Sequence, residues 1–144
     1  MSMSELLIAD EDIMSRKQMA DLFTDAGYQV TVTDSAAGVL YGILKKTVQV
    51  VLLSTRFDEL MATELIPILK KCNRNLHIIL VASELPMTLI RKARSEGIFY
   101  HALKPTRPGD EKELQEAVKC AFEQATYKPA ALALQLKNKT RSDT

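Results

Sequence analysis

Four places in the chain carry residues that could do chemistry. Asp10, Glu11 and Asp12 stand together directly after the apolar run Leu6-Leu7-Ile8-Ala9. Ser54, followed by Thr55 and Arg56, closes the run Val48-Gln49-Val50-Val51-Leu52-Leu53. Ala82 and Ser83 end the run that starts at His77, and Lys104-Pro105 follows Ile98-Phe99-Tyr100-His101-Ala102. Three successive acids at the end of a buried segment are costly unless something compensates them. A hard cation such as Mg²⁺ is one compensator, because it takes carboxylate oxygens and keeps its waters. The Lys104 ammonium is another. Asp12 has a simpler role open to it as the cap of a following helix, with Asp10 and Glu11 near the positive end of its dipole. His101 carries a side chain whose ordinary pKa lies near neutrality, although the common role of such a residue is that of a half-exposed strand histidine. Cys72 and Cys120 have no metal-ligand spacing and read as ordinary helix thiols. There is no Gly-rich phosphate loop, nucleophile elbow or zinc set.

These positions follow apolar runs, and the runs alternate with stretches of helical period. Met19, Leu22, Phe23 and Ala26 repeat at helix spacing, and Gly27 supplies a stop. Val39, Leu40, Ile43 and Leu44 form a second helix, capped by Asp34 or Ser35. A third starts near Thr63 and bends around Pro67; a fourth carries Leu89, Ile90 and Ala93 and ends at Gly97. A fifth runs from Leu114 to Ala125, with Asp110 and Glu113 spaced as a capping box. Buried strands alternating with amphipathic helices imply an α/β fold, a parallel sheet with helices on both faces. Right-handed crossovers favour the doubly wound flavodoxin-like (βα)5 arrangement, strand order 2-1-3-4-5. Sites in such sheets lie beyond the carboxyl ends of the strands, where the four groups fall.

The 144 residues suit one domain, and the cysteine count suits a reducing, cytoplasmic setting. No apolar run reaches the length of a membrane span, and the start of the chain lacks a secretory signal pattern. The formal net charge of +1 gives no footprint for nucleic acid. It hides an uneven layout. Residues 1–125 carry 15 Lys and Arg against 17 Asp and Glu, whereas residues 126–144 carry Lys128, Lys137, Lys139 and Arg141 against Asp143. The expected organisation is a domain over 1–125 and a basic extension over 126–144. In that extension Ala130–Leu136 could form a short helix or dock on the surface, and the last eight residues look disordered.

With these landmarks in order, the chain resembles a response-regulator receiver domain over roughly Leu6 to Ala125. Leu7-Ile8-Ala9-Asp10-Glu11-Asp12 resembles the family's first strand and acidic pair. Val51-Leu52-Leu53 leads into the phosphoacceptor position, Thr63-Glu64-Leu65 resembles the start of the third helix, Ile78 to Ala82 the fourth strand, and Lys104-Pro105 the family's lysine and proline. The resemblance implies an aspartate at the acceptor position, Mg²⁺ held by it and the acidic pair, and a lysine on the phosphoryl oxygens. A Ser or Thr after the fourth strand and an aromatic on the fifth complete the family's switch.

The sequence departs from that pattern where the chemistry is concentrated. Ser54 occupies the acceptor position, and a hydroxyl is a poor nucleophile without an activating base. Glu11 replaces the second Asp of the pair, Ala82 the switch hydroxyl, and His101 the switch aromatic. Ser83 is expected to point away by strand alternation. The expectation is a pseudo-receiver: a protein-binding, non-enzymatic module without aspartyl phosphorylation. No cofactor is expected beyond weak Mg²⁺ at a vestigial Asp10–Glu11 site. The alternatives are a receiver phosphorylated on Asp58, Asp10 or Asp12, and a small flavodoxin-like cofactor binder, which the acidic first loop disfavours by repelling a flavin phosphate. The resemblance implies a signalling partner (a histidine kinase, another receiver or an unrelated effector) docked on the fourth helix, fifth strand and fifth helix. The same face is open to a homodimer.

Overall fold

A computed structural model describes residues 5–57 and 60–126. In chain order the elements are β1 (Glu5–Ala9), α1 (Ile13–Asp25), β2 (Gln29–Thr33), α2 (Ala36–Leu44), β3 (Val50–Leu53) and the short strands β4 (Arg56–Phe57) and β5 (Leu60–Met61). They continue with α3 (Ala62–Cys72), β6 (His77–Ala82), α4 (Met87–Glu96), β7 (Tyr100–Leu103) and α5 (Pro108–Thr126). The main sheet has the order β2-β1-β3-β6-β7, and all its pairings are parallel. This is the expected 2-1-3-4-5 winding.

Period-two alternation divides the core into two layers. Leu7, Val51, Leu53, Ile78 and Leu80 face α2, α3 and α4, meeting Ile43, Leu65, Ile66, Leu69 and Ala93. Leu6, Ile8, Leu52, Ile79 and Val81 face α1 and α5, meeting Met19, Phe23, Leu114, Val118 and Phe122. Burying each of the large side chains stabilises the fold by about 1.5–3 kcal/mol. The central strands β1, β3 and β6 are covered on both sides, which is why they read as near-continuous apolar runs.

Three local features differ from the sequence expectation. The segment after Ser54 folds into a hairpin, β4 against β5, with Arg56 opposite Met61 and Phe57 opposite Leu60. Fully buried Phe57 pins it to the α2–α3 layer, and the Ala62 N–H donates to the Thr55 carbonyl at 2.7 Å. Two-residue strands are too short to show a period. The capping box expected at Asp110 and Glu113 gives way to a start at Pro108, whose fixed φ suits a first helical position. Asp110 instead accepts from the Thr106 hydroxyl at 3.2 Å and the Thr106 N–H at 3.4 Å. The third strand begins at Val50 rather than Val48, and the fifth runs Tyr100–Leu103 rather than from Ile98. Gly27 and Gly97 stop their helices with φ of 96° and 101°, and Ser35 is the cap of α2. The expectations for the extension over 126–144, its apolar segment and its last eight residues fall outside the described residues, apart from the end of α5.

Candidate functional site

The strand register brings Asp10 and Ser54 side by side. Ala9 pairs with Leu53, so the next residue of each strand leaves the sheet at the same edge. The Ser54 N–H donates to the Ala9 carbonyl at 3.0 Å. Ala82 pairs with Leu103, which sets Lys104 just beyond β7 on the same rim, its N–H on the Ala82 carbonyl at 3.2 Å. Asp10, Ser54 and Ala82 are all buried.

Asp10 is the centre of the polar contacts. Lys104 Nζ lies 3.2 Å from Asp10 Oδ2 and donates to Oδ1 at 3.4 Å. Oδ1 also accepts the Asp12 N–H at 3.0 Å. Arg16, one turn into α1, donates from Nη1 to the Asp10 carbonyl at 2.9 Å. Gln18 donates to the Pro105 carbonyl at 2.8 Å, which holds the Lys104-Pro105 loop against α1 and so aims the ammonium. Asp12 caps α1, accepting from the N–H groups of Met14 at 2.9 Å and Ser15 at 3.2 Å. Glu11 sits exposed at the rim. Arg16 enters the sequence reading only through the first-helix spacing of the family resemblance, and Gln18 not at all; a polar residue early in an amphipathic helix carries no signal until the strand ends are placed.

The arrangement suits a divalent cation poorly. Asp10, the one fully buried carboxylate among the described residues, already faces an ammonium, the neighbouring Ser54 is neutral, and Asp12 is committed to its helix. Among the described residues no group of three His, Cys, Asp or Glu side chains is spaced to hold a metal ion.

At the other end of the rim, Ala82 offers no hydroxyl. Ser83 lies past the last residue of β6, where strand alternation no longer governs direction. It borders one surface cleft with Lys104, Thr106, Arg107 and Asp110 and another with Glu84, Leu85, Pro86 and His101. His101, half-buried on β7, has an Nε2 atom with no hydrogen-bond partner among the described residues. Burial lowers its pKa from the usual 6.5; the nearby Arg94 lowers it further, and Glu113 partly opposes both. Asp58 lies outside the described residues. Cys72 and Cys120 are exposed and free.

A model of the response regulator receiver domain matches residues 6–132 of the chain. The chain belongs to that family. This receiver domain also shares its fold with solved receivers at low identity. The signal receiver domain of an HD domain-containing protein from Pseudomonas fluorescens Pf-5 is 20% identical, with a TM-score of 0.81 over 89% of this chain and 93% of that one. The chemotaxis response regulator CheY4 of Vibrio cholerae is 18% identical, with a TM-score of 0.71 over 81% and 98%. The NtrC4 receiver domain, solved as a beryllofluoride-activated dimer, is 16% identical, with a TM-score of 0.76 over 84% and 98%. No curated protein sequence matches the chain. Receiver domains of two-component systems interact with signalling partners such as kinases or effectors. No helix among the described residues is long and apolar enough to cross a membrane.

Proposed function

We propose that this receiver domain signals by binding a protein partner without aspartyl phosphorylation. The observation that carries the reading is Ser54 at the end of β3, beside an Asp10 that is ion-paired with Lys104. Phosphoryl transfer to a receiver needs a carboxylate nucleophile, charge neutralisation by a metal, and a lysine available to the phosphoryl oxygens. Here the acceptor position carries a hydroxyl with no base assigned to it. The lysine is engaged by Asp10, and Ala82 removes the switch donor. Asp10 and Asp12 make poor substitute acceptors, because the first is buried in an ion pair and the second holds a helix end.

The partner surface that fits this reading is formed by α4, β7 and α5. Met87, Tyr100 and Leu103 are among the exposed large apolar side chains of the described residues and all three belong to this face; grouped exposed apolar side chains, rather than single ones, fit an interaction site. The test is incubation with acetyl phosphate and Mg²⁺, followed by intact mass measurement. The expected result is an unchanged mass. A stoichiometric gain of one phosphoryl group, labile to hydroxylamine, would overturn the reading, and Asp→Asn variants at 10, 12 and 58 would then locate it.

A further inference from the structure

Among the described residues β2 is an outer strand of the sheet. Its sequence, Gln29-Val30-Thr31-Val32-Thr33, carries no charge and no proline, the residues that ordinarily keep a sheet edge from pairing with another chain. We propose that the free edge of β2 pairs antiparallel with β2 of a second copy of this chain, around a two-fold axis at Thr31, with α2 of each copy completing the contact on one face.

The backbone sets the register. The Thr33 carbonyl accepts the Asp10 N–H at 3.1 Å, and the pairing of β1 with β2 is unbroken from Glu5 and Gln29 to Ala9 and Thr33. Successive residues turn their backbone groups to opposite edges. Gln29, Thr31 and Thr33 therefore serve β1, and Val30 and Val32 turn N–H and C=O outward. Val30-Thr31-Val32 reads the same in both directions. An antiparallel copy centred on Thr31 thus sets Val30 against Val32 of the second copy, and every outward group of the two valines finds a partner. Thr31 meets Thr31 of the second copy as a non-hydrogen-bonded pair, with Cα atoms about 4.5 Å apart. Threonine pairs of this kind are favourable across strands. A partner strand of another sequence lacks this match of like with like, which is what favours a second copy.

The side chains agree with that register. Val30 packs on the layer of α1 and α5, so Val32 shares that face and Thr31 lies on the α2 face. Val32 is 50% exposed in the single chain, and Val30 of the second copy covers it. On the other face, Gly42 of α2 lies against Leu7, the residue that pairs with Thr31. The middle of α2 is thus level with the two-fold axis. Val39 and Ile43 turn toward the core shared with α3, which leaves exposed Tyr41 on the side of the free edge. Helix α2 contains no charged residue, so it brings no like charges to the axis. Asp34 precedes it and Lys45 and Lys46 follow it, so the two-fold turns acid toward base at both ends.

The contact falls among small interfaces, under about 1,200 Å², which suits a dimer forming near about 0.1 mM. It lies at the opposite edge of the sheet from β7 and leaves the α4–β7–α5 face free. It does not depend on whether the domain is phosphorylated.

Sedimentation velocity of the full chain, from about 10 µM to about 1 mM, should show a dimer that grows with concentration. Thr31→Lys and Thr31→Glu each set like charges directly opposite one another and should weaken it at least about tenfold. Mixed one to one, the two variants should dimerise at least as well as the parent, because Lys then faces Glu. Thr31 is exposed, and unchanged urea midpoints at low concentration separate loss of pairing from loss of fold. A second route avoids charge. In a chain with Cys72→Ser and Cys120→Ser, Thr31→Cys should form an inter-chain disulfide at least about fivefold faster than Val32→Cys, since only residue 31 faces itself across the axis. A parent that stays monomeric throughout overturns the proposal. So does a dimer that survives both charge variants, a mixture no stronger than either variant alone, or equal cross-linking at 31 and 32.

Discussion

The two flanks of the strand-end rim each bury a residue at the sheet edge, yet they are differently built. On the β1 flank, Asp10 is tied to Lys104 and the Asp12 N–H, and Asp12 closes the start of α1. On the β3–β6 flank stand Ser54 and Ala82, two small side chains with no charge. Burial does not separate them: Asp10 is 1% exposed, Ser54 6% and Ala82 1%. What separates them is the consequence of change. Removing a side chain from the first flank strands a buried charge or opens a helix end, and removing one from the second strands nothing. On the proposed reading, the acidic residues persist because the fold uses them, and the positions needed only for phosphoryl chemistry have drifted to small neutral residues.

The comparison is broken most directly at Lys104. Lys104→Met leaves the Asp10 carboxylate buried without its cation and should cost about 3 kcal/mol of stability, read as a lower urea midpoint. Adding Asp10→Asn to that variant should recover most of the loss, since replacing both partners of a buried pair by neutral groups is far milder than removing one. A midpoint unmoved by Lys104→Met would show that the pair does not compensate Asp10. Ser54→Asp should rank next, at about 2 kcal/mol, because it sets a second carboxylate beside Asp10. Millimolar Mg²⁺ should restore the lost thermal stability of that variant and leave the parent unaffected. If Mg²⁺ stabilises the parent equally, the neutral flank is not what weakens the metal site. Asp12→Ala should cost about 1 kcal/mol through the lost cap, measured the same way. Ser54→Ala should shift the midpoint by less than about 1 kcal/mol, which is the asymmetry between the flanks in its simplest form.

Legibility in the sequence followed the same division. The winding of the sheet was readable because β1, β3 and β6 are apolar on both faces and each is followed by a helical period and a stop. The Asp12 cap was readable because its carboxylate acts on N–H groups two and three residues away. The partnership of Asp10 with Lys104 was readable only because both follow strands of one sheet, so topology brings them together. The rest depended on contacts with no local signature. The β4–β5 hairpin is set by one buried aromatic, Phe57, in a loop of otherwise mixed polarity. Gln18 reaches Pro105 across 87 positions of sequence. The start of α5 was misread because Asp110 has two plausible local duties, a cap for its own helix or an acceptor for Thr106. The geometry of Pro108 decides for the second.

The smallest expected effect belongs to His101, on the strand next to the neutral flank. Its folded-state pKa lies below the usual 6.5, first through burial, then through Arg94 on α4, with Glu113 on α5 opposing. An unfolded chain therefore takes up the proton first as pH falls. The stabilising contribution of a neutral His101 is fully present above about 6.5 and is lost as pH falls through the lowered folded value. The urea midpoint of the parent should thus drop between about pH 7.5 and 5.5, and His101→Gln, which cannot titrate, should drop by less. Equal drops would mean that the half-exposed ring reaches water well enough to titrate as it does in the unfolded chain.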